Sequence, residues 1–193
     1  VAGGIAYRPV RNRGTVGGSL AHADPAADWV NALATLAAEV EIASRSGRRR
    51  LPVDRFVTGA LETALGAGEI LVAVRIPRLP PGARWGYVKH ATKVGEFAHA
   101  IGAVVLEPEA GRGRALIGAI ERAPLLLRDA RPLFGGCIDP ECVRRFDPGI
   151  ARQALVDLGM TDPADLHIHI TVLARAVAQA MAASPSEPLA EAA

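Results

Sequence analysis

Apolar positions along the chain change their period several times, and each change marks the edge of an element. Asp24-Pro25 supplies a carboxylate at a helix N-cap followed by proline at the first helical position. Trp29, Leu33, Leu36 and Val40 follow at spacings of four, three and four, which predicts a helix with one apolar face. Glu39–Ser44 and Arg48–Val53 read as two strands of a hairpin around a Ser46-Gly47 turn. A short helix is expected over Arg55–Leu65, and Glu69–Ile76 reads as a strand closed by Pro77.

Arg78-Leu79-Pro80-Pro81-Gly82 then interrupts all regular structure and separates a first block from a second. Strands are expected at Trp85–His90, Ala100–Leu106 and Ala115–Ile120, and helices at Leu125–Phe134 and Gly149–Leu158, the latter stopped by Gly159. The clearest helix begins at Asp162-Pro163. Asp165 supports its first turn, and Leu166, Ile170, Leu173, Val177 and Met181 form its apolar stripe. The tail over 183–193 is small residues, proline and glutamate, and is expected to be disordered. Both blocks mix strands and helices without strict alternation, so the class is α+β, and no internal repeat is evident.

With 22 basic and 20 acidic side chains the charge is near balance, which makes no case for nucleic acid. Arg48-Arg49-Arg50, the one basic run, sits at the hairpin turn and reads as a solvated surface. No apolar run reaches the roughly 18–20 residues of a membrane span, and no secretion signal is visible, so a cytoplasmic protein is expected. Cys137 and Cys142 alone cannot hold an iron–sulfur cluster or a zinc ribbon. His167 and His169 lie two apart on a helix and face different ways, so no metal is expected.

The chemistry concentrates in Arg11–Trp29. Gly14, Gly17 and Gly18 let the backbone approach a ligand without Cβ atoms in the way, and bare N–H groups in such a loop suit phosphate oxygens. Thr15 and Ser19 add hydroxyls, Val16 lies between Thr15 and the glycine pair, and the loop is expected to lead into a helix whose dipole favours an anion. Asp24 and Asp28 can accept from ribose hydroxyls or simply cap that helix. The loop is not a Walker A sequence, since no Gly-Lys-Ser/Thr follows, nor a dinucleotide fingerprint.

The segment RNRGTVGGS through DPAAD resembles the flavoprotein subunit of the xanthine dehydrogenase and carbon monoxide dehydrogenase family, the molybdenum hydroxylases. The resemblance continues in Gly68-Glu69-Ile70-Leu71 to Ile76-Pro77, in Trp85–Lys89 with Lys93–Ala98, and in the last helix. It implies an FAD-binding electron-transfer subunit, with molybdopterin on a large partner subunit and 2Fe-2S clusters on a small iron–sulfur subunit. Electrons would come from those clusters and pass to NAD, oxygen or another acceptor. By the resemblance, Thr15, Val16, Gly17, Gly18 and Ser19 contact the FAD pyrophosphate region, and Asp24 and Asp28 serve its polar groups. Leu71 and Lys89 fall near the isoalloxazine ring, where a cation stabilises reduced flavin.

The family carries an upstream subdomain with a second glycine-rich loop. Here Ala2-Gly3-Gly4 directly precedes the first motif with no strand–helix unit between them, so an N-terminally truncated chain is expected. Residues 1–81 would be the second FAD subdomain, and residues 82–182 a C-terminal domain on a three-stranded antiparallel sheet. The competing expectation is a remnant that binds no FAD and serves only as a subunit-interaction module.

Overall fold

A computed structural model describes residues 1–182 of the chain. The tail expected to be disordered lies outside them. The helices are α1 (Arg8–Arg11), α2 (Val16–His22), α3 (Asp28–Thr35), α4 (Val53–Phe56), α5 (Pro148–Asp157) and α6 (Pro163–Ala182). The strands are β1 (Glu39–Ser44), β2 (Gly47–Pro52), β3 (Val57–Gly59), β4 (Glu62–Thr63), β5 (Ile70–Arg75), β6 (Arg84–His90), β7 (Ala100–Glu107), β8 (Arg112–Gly118) and β9 (Leu125–Leu127). All pairings are antiparallel, in sheets ordered β2-β1-β5, β3-β4 and β6-β7-β8-β9. The α+β class expected from the pattern is therefore what forms.

The large sheet is covered on both faces, and side-chain alternation explains how. Val88, Val104, Leu106, Ala115 and Ile117 point to the side where α6 lays down Leu166, Leu173, Ala176 and Val177. Tyr87, Ala103 and Leu116 point the other way and join Val30, Leu33, Val40 and Phe56 of the first block. Each fully buried Leu, Ile or Val on these faces contributes roughly 1.5–3 kcal/mol over its exposed state. The α6 layer sits unusually close to the sheet. A Cβ on Gly86 would lie 1.9 Å from the Ala176 carbonyl oxygen, and one on Gly102 would lie 2.6 Å from Leu173 Cα. No side chain is tolerated at either crossing.

Several expectations are corrected. The helix expected from Pro25 begins at Asp28, because Asp24 Oδ1 accepts from the Ala26 N–H at 2.8 Å and makes a turn of its own. That helix also ends before Val40. Ala37 takes a left-handed φ of 53°, and Val40 continues as a buried position of β1. Over Arg55–Leu65 only the single turn of α4 is helical. The β-branched Val57-Thr58 then extends into the β3-β4 hairpin, whose turn residue Leu61 donates its N–H to Ala23 O at 2.9 Å.

Leu125–Phe134 is no helix. Leu125–Leu127 pairs with Ile117, Leu116 and Ala115 on the open edge of β8, and a 3₁₀ turn follows at Arg131–Phe134. The second block thus has four strands, not three. An unpaired sheet edge outweighed leucine's mild helix preference.

Among the described residues, no helix is long and apolar enough to cross a membrane, and no three metal-ligating side chains gather. The arginine run at the hairpin is ion-paired as well as solvated. Arg48 and Arg75 both bond Glu41, at 2.7 and 2.8 Å, and Arg49 bonds Glu69 at 2.6 Å. The first two arginines hold the Glu41 carboxyl down at about 2.

Candidate cofactor site

The glycine segment expected to be a loop is the first turn of α2. Thr15 is its N-cap: the Thr15 hydroxyl accepts from the Gly18 N–H at 2.9 Å, and the Thr15 carbonyl accepts from the Ser19 N–H at 3.0 Å. This is the hydroxyl-capped helix start that a Thr at the N-cap favours. The N–H groups of Val16 and Gly17 have no partner among the described residues and point out of the helix start. The Ser19 hydroxyl likewise has none. Left-handed Ala23, at φ 54°, ends α2.

The two glycines have different reasons to lack a Cβ. At Gly18 the extra carbon would meet Thr15 Oγ1 at 2.9 Å and spoil the cap. At Gly17 it would meet Leu71 Cδ2 at 3.3 Å. Gly17 therefore lets α2 lie against β5, so the structure sets Gly17 beside Leu71, two residues that the sequence reading assigned to different ends of the cofactor. Val16 and Leu71 both pack on the core of the first block.

Asp28 and Lys89 meet directly. Lys89 Nζ donates to Asp28 Oδ2 at 2.8 Å and also to the Gly4 carbonyl at 2.9 Å. The Asp28 side chain is only 9% exposed, and its other oxygen accepts from the Tyr87 hydroxyl at 2.8 Å. Burial, reinforced by the Asp28 charge, pushes the Tyr87 phenol well above its ordinary range, so it stays protonated and donates. A carboxylate has about four lone-pair positions, so two donors leave Asp28 some capacity for a ligand hydroxyl. Lys89 keeps a third N–H, and its side chain is 24% exposed.

Asp24 stands apart from this group. It serves its own turn through Ala26, and sequence reasoning had left open capping or ligand contact. Two residues that matter here were not singled out in the sequence. Tyr87 was discoverable, since it lies two positions before Lys89 on a strand and so shares its face. Asn31 gave no signal. Fully buried, it donates through Nδ2 to Pro25 O and Ala27 O, both at 2.9 Å, and so shapes the turn that presents Asp28.

The arrangement suits an anionic, hydroxyl-bearing ligand. Unpartnered amides at a helix start offer donors to phosphate oxygens, the absent Cβ atoms leave room for close approach, and the Lys89–Asp28 pair offers a charged donor and an acceptor.

Residues 1–79 match the family model described as the FAD binding domain in molybdopterin dehydrogenase. The nicotine 6-hydroxylase medium subunit of Paenarthrobacter nicotinovorans is 40% identical over 146 residues, which is 71% of this chain and 49% of that protein. The carbon monoxide dehydrogenase medium chain of Hydrogenophaga pseudoflava is 38% identical over 102 residues, 53% of this chain and 36% of that one. The chain thus spans about half the length of the first of these relatives, or less of the second. Among solved structures, carbon monoxide dehydrogenase from H. pseudoflava lacking the Mo-pyranopterin moiety superposes with a TM-score of 0.78 at 28% identity, covering 93% of this chain and 64% of that one. Quinoline 2-oxidoreductase from Pseudomonas putida 86 gives 0.73 at 31% identity, covering 92% and 64%. Residues 1–79 thus belong to the family of FAD binding domains in molybdopterin dehydrogenases, and the described chain shares its fold with the carbon monoxide dehydrogenase and quinoline 2-oxidoreductase structures.

Proposed function

We propose that this chain carries FAD as the electron-transfer part of a molybdenum-containing hydroxylase or dehydrogenase. The observation that supports it most is the coincidence of the matched region with the site geometry. The family match over residues 1–79 contains the Thr15-capped glycine turn, Asp28 and Leu71, and the partner of Asp28 is Lys89. The residues fit the cofactor. The amides of Val16 and Gly17 and the hydroxyl of Ser19 would hold the pyrophosphate, Asp28 a hydroxyl of the cofactor, and Leu71 with Lys89 the ring end.

Bound FAD supplies a two-electron carrier able to pass electrons singly or in pairs. The protein's own part is to bind, orient and tune. Lys89 places positive charge by the site, and Asp28 limits how much of it is felt. Molybdopterin and 2Fe-2S clusters belong to the large and small partner subunits in this reading. Electrons arrive from those clusters and leave to NAD, oxygen or another acceptor. The working compartment is the cytoplasm. Residues 1–81 act as the cofactor-holding domain and 82–182 as the companion domain that contributes Lys89.

The test is a titration of the purified chain with FAD, followed by flavin fluorescence and the absorbance near 450 nm. Saturable binding is expected, with loss in the Gly17→Val/Gly18→Val double variant, because one added side chain meets Leu71 and the other meets the cap. Absence of saturation at high micromolar FAD, or equal binding by the variant, overturns the reading.

A further inference from the structure

We infer that Tyr87 is a positioning residue for the cofactor site, acting through Asp28. The inference deepens the FAD reading above and rests on it. Tyr87 is held at both ends. Its backbone N–H, on the outer edge of the sheet, donates to Gln179 Oε1 of α6 at 2.8 Å. The neighbouring Gly86 is pressed beneath Ala176 of the same helix. Its ring then crosses to the opposite face and packs on the core of the first block. There its hydroxyl donates to Asp28 Oδ1. The residue is therefore a strut, tied to α6 by its backbone and to the first turn of α3 by its side chain.

What the strut decides is the orientation of Asp28. The Tyr87 phenol, kept protonated by burial, donates to Oδ1 and holds that oxygen in place. By taking Oδ1, Tyr87 leaves Oδ2 to Lys89, and the carboxylate can rotate toward neither partner alone. Without the hydroxyl, Oδ1 loses its donor at a side chain only 9% exposed. The carboxylate is then free to turn both oxygens on Lys89, which quenches the ammonium and withdraws the lone pairs a ligand hydroxyl needs. Tyr87 touches no ligand in this scheme. Its effect passes entirely through the pair.

The experiment compares FAD affinity in the full chain for wild type, Tyr87→Phe, Asp28→Asn and the Tyr87→Phe/Asp28→Asn double variant. A fifth protein carries Tyr87→3-fluorotyrosine, which keeps the donor and adds a fluorine resonance. Tyr87→Phe is expected to weaken FAD about tenfold, as is Asp28→Asn, with the double variant no weaker than Asp28→Asn alone, the non-additivity of groups acting as one unit. The fluorotyrosine protein is expected to bind within twofold of wild type, and its fluorine resonance to shift when Asp28→Asn is added. A merely structural role for the ring predicts neither the non-additivity nor rescue by a retained hydroxyl.

Wild-type binding with Tyr87→Phe unchanged within twofold, or fully additive losses, overturns the inference and leaves the FAD reading standing. Failure of wild type itself to bind overturns the FAD reading, and the inference with it. Should Tyr87→Phe not fold, the fluorine resonance decides: no shift on Asp28→Asn overturns the inference.

Discussion

Replacing Gly86 by alanine tests how the second block is built. The added Cβ would stand 1.9 Å from the Ala176 carbonyl oxygen, 2.8 Å from its carbonyl carbon and 3.1 Å from Ala180 N. Ordinary contact begins at 3.4 Å, so α6 must rise from the sheet by about 1.5 Å. The obstacle is main chain, and no side-chain truncation can relieve it. A gap of even 0.5–1 Å forfeits roughly a quarter to a half of each van der Waals contact across it. The contacts at risk are those of Leu173, Ala176 and Val177 with Val88 and Val104. Overpacking of a tight core costs about 1–3 kcal/mol, and a backbone clash on this scale belongs at the upper end, about 3 kcal/mol.

For a chain of this size that lowers the melting temperature by roughly 6–12 °C, at 2–4 °C per kcal/mol. Thermal melting by far-UV circular dichroism and urea denaturation measure it directly. Gly3→Ala, with nothing within 4 Å of its added Cβ, is the control and should melt with wild type. A Gly86→Ala protein melting within about 2 °C of wild type would refute the reasoning. It would mean that α6 does not press on the strand as described.

Three more outcomes follow from particular contacts. Asn31→Ala removes both hydrogen bonds that tie Pro25 O and Ala27 O and leaves a fully buried hole, so a loss of about 2–3 kcal/mol in urea denaturation is expected. Thr15→Ala removes the N-cap of α2 and should cost about 1 kcal/mol in the same measurement, while Thr15→Ser retains the hydroxyl and most of the stability. Acid acts through Glu41, whose hydrogen bonds from Arg75 and Arg48 lower its carboxyl from 4.5 to about 2 in the folded chain. Its stabilising contribution is therefore complete above pH 4.5 and fades as pH falls toward 2, and Glu41→Gln should flatten the urea midpoint against pH across that window.

Legibility differed by element for physical reasons. The α6 stripe and the strands at Glu39–Ser44 and Ala100–Glu107 could be read because period and caps are local properties of the chain. Leu125–Leu127 could not, because three leucines carry no strand signal until β8 offers an edge to pair with. In the candidate site, the glycine turn and Asp28 could be picked out by their chemistry, and Leu71 and Lys89 only by the family resemblance, but none of them as a geometry. Nothing local shows that Asp28 is already engaged by Lys89 and Tyr87, which stand about sixty positions further along the chain.

The sequence by itself determined the α+β class, the break near Arg78–Gly82, and a hydroxyl-and-glycine segment suited to phosphate, because periodicity, proline and the absence of Cβ act within a few residues. Only the tertiary structure decided that the glycine segment is a helix start rather than a loop, and that the sheet has four strands. It alone joined Asp28 to Tyr87 and Lys89. These outcomes depend on which distant surfaces meet: β9 becomes a strand only where β8 offers an edge, and a carboxylate finds its partners only after the side chains of β6 reach the first turn of α3.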